Sequence, residues 1–252
     1  RAIQHYRKVV ELNPNYLPSL QALGKLFYRK GQWNELVQMY EIEIRETQEP
    51  KPKSIRLYKL AEILEERLSQ DEEAIAKLEQ CLELNPGYLP ALKSLGRLYN
   101  KYNRWESLIH MYENELGITP DQDQRIFLLD KIGGLWEEKL NNIDKAIETY
   151  QRLLEESPNY LPDIRTLGKL YVRADRWEDM IRINDLEAQL VNDQKQVVSL
   201  LHRNGEIYEE KLNDKDQAIE MYKQVLALAP NYLPALQSLG RLYFIKGRWD
   251  DL

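Results

Sequence analysis

The 252 residues carry 35 lysines and arginines against 41 aspartates and glutamates, for a net charge of −6, with 43% hydrophobic and 30% charged residues. A chain this acidic, with a mean hydropathy of −0.62, lacks the basic footprint of a general nucleic-acid binder. It also has no apolar run near the ~20 residues of a membrane span. Its one cysteine, Cys81, excludes an internal disulfide framework and a cysteine-rich zinc site.

In chain order, the pattern predicts a lone opening helix over about residues 2–12, then a helix beginning at Leu17-Pro18, where proline in the first turn costs no hydrogen bond. Leu20, Leu23, Leu26 and Phe27 recur on it at helical spacing. Gly31 and Gln32 end that helix, and Trp33 opens a second one carrying Leu36, Val37, Tyr40 and Ile44. The breaker-rich stretch Gln48–Lys53 reads as a connection. A third helix follows from about Ile55 to Leu68, with Leu57, Leu60, Ile63 and Leu64 on one side. A fourth carries Ala74, Ile75, Leu78 and Leu82 and stops before Pro86.

From there the chain repeats itself. Pro14, Pro86, Pro158 and Pro230 lie 72 residues apart, and so do Trp33, Trp105, Trp177 and Trp249. Gly24, Gly96, Gly168 and Gly240 keep the same step. A fixed period of this size marks a solenoid whose units bury their apolar faces against neighbours. The predicted units are 15–86, 87–158 and 159–230, with partial units at 1–14 and 231–252. Together they hold about 13 helices and no strand pattern. The start at Arg1 rather than Met reads as a piece of a longer protein.

The repeated phrase resembles the tetratricopeptide repeat family. The first hairpin of each unit has the front half of that pattern (Leu20, Leu23-Gly24, Phe27; Leu92, Leu95-Gly96, Tyr99). The second has the back half (Ala146, Tyr150, Pro158; Ala218, Tyr222, Pro230). First hairpins depart by placing Leu36, Leu108 and Met180 where the family has a small residue. The resemblance implies an all-α, right-handed superhelical solenoid of helix-turn-helix repeats, with the first helix of each hairpin lining a groove. It also implies a protein-interaction scaffold that holds a partner peptide or protein.

The chemistry of an enzyme is not written here. No Gly-rich phosphate loop and no His-Glu-x-x-His pattern occurs, and His5, His110 and His202 fall at unrelated repeat positions. Asp121-Gln-Asp123 lacks the glycine and closing glutamate of a calcium loop and reads as a hairpin connection. Cys81 has apolar counterparts, Leu153 and Val225, so it reads as a buried thiol. No catalytic residue, cofactor or metal ligand is expected.

The groove face does carry a charge pattern. First hairpins present the stripes Gln21-Lys25-Arg29, Lys93-Arg97-Lys101 and Arg165-Lys169-Arg173, at i, i+4, i+8. Second hairpins present Glu62-Glu65-Glu66, Glu137-Glu138 and Glu206-Glu209-Glu210. Either the stripes neutralise one another as a ladder, or the cations, with Tyr28, capture an acidic peptide. Gly133-Gly134 interrupts the middle acidic helix, so Lys93, Arg97, Lys101, Arg165, Lys169 and Arg173 are expected to be the least neutralised cations, beside a spot a partner backbone can approach. The alternatives are a non-catalytic substrate-recruiting arm of a kinase or glycosyltransferase, and a structural spacer or self-assembling segment. The last helix, 233–246, is expected to expose some of Leu236, Leu239, Leu242 and Tyr243 and so to favour end-to-end association. The absence of cysteine pairs and of Asn-x-Ser/Thr sequons leans towards a bacterial or intracellular, cytoplasmic setting.

Overall fold

A computed structural model of the chain describes residues 2–13 and 16–248. Pro14 and Trp249 of the repeat signature lie outside the described residues. The chain divides into two compact units, Arg1–Pro120 and Asp121–Leu252, and the boundary falls between the two hairpins of the 87–158 step.

The N-terminal unit contains α1 (Ala2–Leu12) and three hairpins: α2 (Leu17–Lys30) with α3 (Trp33–Glu46), α4 (Pro50–Leu68) with α5 (Asp71–Leu84), and α6 (Leu89–Lys101) with α7 (Trp105–Ile118). The C-terminal unit contains α8 (Gln122–Gly134) with α9 (Ile143–Glu156), α10 (Leu161–Arg173) with α11 (Trp177–Leu190), and α12 (Gln194–Glu210) with α13 (Lys215–Leu228). It closes on α14 (Leu233–Lys246). The described residues thus form 14 α-helices rather than about 13, because each full step holds four and the opening and closing helices add one apiece. No described residue is in a strand. No described helix is long and apolar enough to cross a membrane.

Within each unit a helix packs mainly on the helices before and after it in the chain, as expected of a linear repeat. Leu20, Leu23, Phe27 and Leu36 are almost fully buried in the first hairpin, and Leu57, Leu60, Ala74 and Leu78 in the second. The hairpin turns repeat with the sequence. Gly31, Asn103, Asp175 and Gly247 all have φ between 53° and 66°. The next residue then donates its N–H back to the aromatic residue five positions earlier: Gln32 to Phe27, Arg104 to Tyr99, Arg176 to Tyr171 and Arg248 to Tyr243. Only Gly enters this left-handed region freely, with Asn and Asp the least penalised alternatives, which is why those residue types occupy the step.

One local expectation changes, and a second narrows to Leu236. The stretch read as a connection over Gln48–Lys53 is half helix: α4 starts at Pro50 and takes Pro50 and Pro52 into its first turn. The first four N–H groups of a helix have no partner inside it, so prolines there remove nothing. In α14, Leu239, Leu242 and Tyr243 are buried against α13. The exposed apolar side chains are Leu233, Leu236, Phe244 and Ile245, on the faces turned away from that packing.

Glycine is demanded where a tyrosine crosses. A Cβ on Gly133 would sit 2.8 Å from the Tyr150 ring, and one on Gly205 2.5 Å from the Tyr222 ring. One step earlier the same two positions are Ala61 and Leu78. Gly133 is therefore committed to packing and offers no approach to a partner backbone, whereas a Cβ on Gly134 would meet nothing within 4 Å. After this Gly pair the helix widens into a single π-helical turn, Leu135–Lys139. Two consecutive glycines weaken α-helical register at that point.

Candidate functional site

The charge stripes fall on the first helices of the hairpins, and most of their members meet one another. The Arg97 guanidinium grips Glu65 with two contacts, at 2.5 and 2.9 Å. Lys101 pairs with Asp71, which also accepts from the Tyr102 hydroxyl at 2.7 Å. These hydrogen bonds hold the Asp71 carboxyl below its ordinary range, the Lys101 contact contributing most. In the C-terminal unit Glu137 binds Arg173 at 2.5 Å, Glu209 binds Arg241 at 2.8 Å, and Arg165 turns to Glu187 at 2.6 Å.

Four of the six cations expected to be least neutralised are therefore paired. One of the two exceptions, Lys169, has a local cause. The counterpart of Asp71 one step on is Ile143, so Arg173 lacks the acid that holds Lys101. It takes Glu137 instead, and Lys169, the counterpart of Arg97, is left exposed without a carboxylate among the described residues. Lys93 is likewise exposed and without an ion pair there. The hollow around Arg97 and Lys101 is also lined by Glu65, Glu66 and Asp71, so its charges are already met.

The first stripe behaves differently. Lys25, Tyr28 and Arg29 of α2 line a cavity of about 590 Å³, roofed on the other side by Ile55, Arg56 and Lys59 of α4. Gly24, Leu36, Met39 and Tyr40 form its floor, and the absent side chain at Gly24, where a Cβ would lie 3.4 Å from Leu36, keeps that floor low. Lys25, Arg29 and Lys59 are exposed and carry no ion pair among the described residues. Arg56 donates from Nε to Glu43 at 3.0 Å and from Nη1 to the Pro52 carbonyl at 3.1 Å. Glu43, only 6% exposed, is the one carboxylate lining the cavity among the described residues. Burial raises its pKa and the Arg56 contact partly restores it. Tyr28 stands over half exposed at the rim, braced edge-on by Trp33 at 5.4 Å.

Four cations thus converge on a cavity holding one already paired carboxylate, an arrangement suited to carboxylates or other anions. Tyr40 was missed from sequence because on α3 it reads as a packing residue, and Arg56 and Lys59 because α4 reads as acidic. Its glutamates lie in its C-terminal half, and its N-terminal half is basic (Lys51, Lys53, Arg56, Lys59).

The other repeated features have structural roles. Arg67 lies 5.2 Å over the Trp33 ring, and Lys211 lies 5.1 Å over Trp177, the same contact two steps on. Asp121 caps α8 by accepting from the Gln124 N–H at 2.8 Å. Cys81 is fully buried and donates to the Ser54 carbonyl at 3.2 Å, and burial pushes its thiol up to about 11.

Comparison with known proteins agrees with the repeat architecture. Tetratricopeptide repeat models match residues 19–52, 57–88, 91–126, 129–160 and 198–232. Anaphase-promoting complex subunit 7 of Dictyostelium discoideum is 27% identical over 179 residues, covering 71% of this chain and 29% of that protein. Human protein O-mannosyl-transferase TMTC1 is 24% identical over 161 residues, covering 63% of this chain and 18% of that one. The chain therefore spans well under half the length of these relatives. A solved structure of Naa15/Naa10 bound to HypK-THB superposes with a TM-score of 0.52 at 14% identity, over 96% of this chain and 36% of that one, a likeness of fold alone. With five matched segments covering more than half of its residues, the chain belongs to the tetratricopeptide repeat family.

Proposed function

We propose that this chain is a non-catalytic protein-interaction scaffold whose N-terminal unit captures an acidic segment of a partner protein. Tetratricopeptide repeats support the scaffold reading in general. The observation that carries the specific reading is the cavity between α2 and α4, where Lys25, Arg29 and Lys59 stand without carboxylate partners beside the Arg56–Glu43 pair. A carboxylate entering it gains charge-assisted hydrogen bonds without first breaking an internal ion pair. Tyr28 and Tyr40 offer aromatic surface to an accompanying apolar side chain. Lys93, in the same unit, is a secondary anchor for a longer acidic segment.

A fluorescein-labelled peptide of alternating Glu and Leu tests this by anisotropy. Arg29→Glu combined with Lys59→Glu should weaken its binding at least about tenfold, with melting unchanged, because both side chains are exposed. Raising ionic strength from about 0.05 to 0.5 M should weaken binding to the native chain. Equal binding by native chain and double variant would overturn the assignment. A second reading, an arm of a larger enzyme, draws support from the match to a named mannosyl-transferase over only 18% of its length. On that reading the acidic segment belongs to the enzyme's protein substrate.

A further inference from the structure

The opposite face of the N-terminal unit carries a second, larger hollow. It runs between α5 and α7 over α6 and encloses about 720 Å³. Its floor is Leu92, Leu95 and Tyr99, an i, i+3, i+7 stripe along α6, and Ile118, half exposed, stands at one end. Glu79, Glu83, Glu106 and Glu115 edge it, and no lysine or arginine lines it. Glu79 accepts from the Tyr99 hydroxyl at 2.6 Å. Glu83 and Glu106 are exposed with no ion pair among the described residues.

The chain supplies its own control. The same place one step later, between α9 and α11 over α10, holds a hollow of only about 360 Å³. There Asp179, Arg182 and Leu186 stand where α7 has Ser107, His110 and Asn114. Arg182 and Arg176 bind Asp179 at 3.1 and 2.6 Å, and Gln151 donates to the Tyr171 hydroxyl at 2.8 Å. The C-terminal unit has narrowed this hollow and set Arg182 in its lining beside Glu155 and Asp179, whereas the N-terminal unit leaves it wider, with glutamates and neither lysine nor arginine among its lining residues. Nothing in the packing of α6 requires the smaller residues, since α10 presents the same floor as Ile164, Leu167 and Tyr171.

We propose that this trough is a docking surface for a basic amphipathic helix of a partner protein. An apolar floor at i, i+3, i+7 spacing accepts the ridge of another helix, as in helix-in-groove recognition. α5 and α7, 14 residues each, border it over about 21 Å, long enough for some four turns of partner helix. The charge on the edges selects the partner's chemistry: lysines and arginines flanking the apolar ridge meet the rim carboxylates, and an acidic helix or anionic lipid surface is repelled. The trough is independent of the cation-lined cavity, which lies on α2, α3 and α4.

The test uses the 252-residue chain with two labelled helical peptides that share one leucine ridge, one with lysine and one with glutamate on the remaining positions. The lysine peptide should bind, and the glutamate peptide at least about tenfold more weakly. His110→Arg with Asn114→Leu imports the residues the chain already carries at 182 and 186, so helix content should stay native while lysine-peptide binding falls at least about tenfold. Glu83→Lys with Glu106→Lys alters two exposed positions and should invert the preference. Arg29→Glu with Lys59→Glu should leave lysine-peptide binding intact, separating this face from the other. Absence of lysine-peptide binding, equal binding of the two peptides, or native affinity in the filled variant would each overturn the proposal.

Discussion

Adding one methyl group at Gly205 pits two effects of opposite sign against each other. In a helix interior, replacing glycine by alanine gains about 1 kcal/mol. At Gly205 the new Cβ would fall 2.5 Å from Tyr222 Cε1 and 2.8 Å from Cδ1, roughly 1 Å inside the 3.5–4.0 Å of ordinary carbon–carbon contact. Tyr222 cannot swing aside cheaply. It is fully buried in the cluster with Ala218, Val225, Ala235 and Leu239, and its hydroxyl donates to Glu209 at 3.1 Å. Overpacking of this kind costs about 1–3 kcal/mol, and with contacts this short the cost outweighs the gain, so Gly205→Ala should be net destabilising by up to about 2 kcal/mol. Because repeat arrays can unfold piecemeal, the loss should appear as faster hydrogen exchange in α12 and α13. Gly134→Ala is the control: nothing lies within 4 Å of the added carbon, so it should be neutral or stabilising. Adding Tyr222→Leu, the residue the chain uses at 78 opposite Ala61, should recover much of the Gly205→Ala loss, giving a coupling of about 1–3 kcal/mol. If Gly205→Ala is as stable as native, the close tyrosine is not what excludes a side chain there.

Two further outcomes follow from buried groups. Asp163 is 8% exposed, its Oδ2 has no hydrogen-bond partner, and burial, with a smaller contribution from Asp130, pushes its pKa up to about 6. A raised carboxyl favours the protonated native state, so its contribution is fully present below about 4 and is lost as pH rises through about 6. Asp163→Ala, the residue found at 91 and 235, should therefore stabilise the chain at pH 7 by about 1 kcal/mol after solvent screening. The gain should shrink at about pH 4.5 in urea melts, and an equal effect at both pH values would refute the cause. Cys81, fully buried with its thiol raised to about 11, should react with a thiol reagent only as fast as the N-terminal unit opens. Prompt labelling of the native chain would contradict its burial.

The hairpins were legible because each unit repeats the same solution to the same packing problem. Period, helix starts and turn residues all recur at 72 positions, so any one of them could be checked against the rest. Side-chain pairing was less legible, because one substitution reroutes it. Ile143 in place of Asp71 sends Arg173 to Glu137 and strands Lys169, a consequence of side-chain reach that stripe-counting does not register. The cation-lined cavity was half visible. Lys25, Tyr28 and Arg29 stand on one stripe, but Arg56 and Lys59 reach it from a helix whose average charge points the other way.

Departures from the repeat divide by whether they come in packed pairs. Glycine appears at 133 and 205 where tyrosine appears at 150 and 222, and alanine at 61 where leucine appears at 78. Asn204 takes the place of Leu60 and Ile132 while Asn184 takes that of Tyr40 and Tyr112. The two asparagines then hydrogen-bond each other at 2.7 Å in the core, and Asn204 also donates to Asp185 at 2.7 Å. A buried amide is costly alone and tolerable with a partner, so such pairs record packing compensation and need no ligand to explain them. Asn184 Oδ1 is left without a partner, but its amide nitrogen is paired; Asp163 is a departure of the other kind, with no compensating neighbour and an unsatisfied Oδ2. Ser107, His110 and Asn114 leave space instead of filling it, although His110 and Asn114 lie within hydrogen-bond distance of each other at 3.1 Å. In a repeat array, departures that open space rather than fill it are where local packing has yielded to another demand, and the trough over α6 is the largest such space among the cavities described.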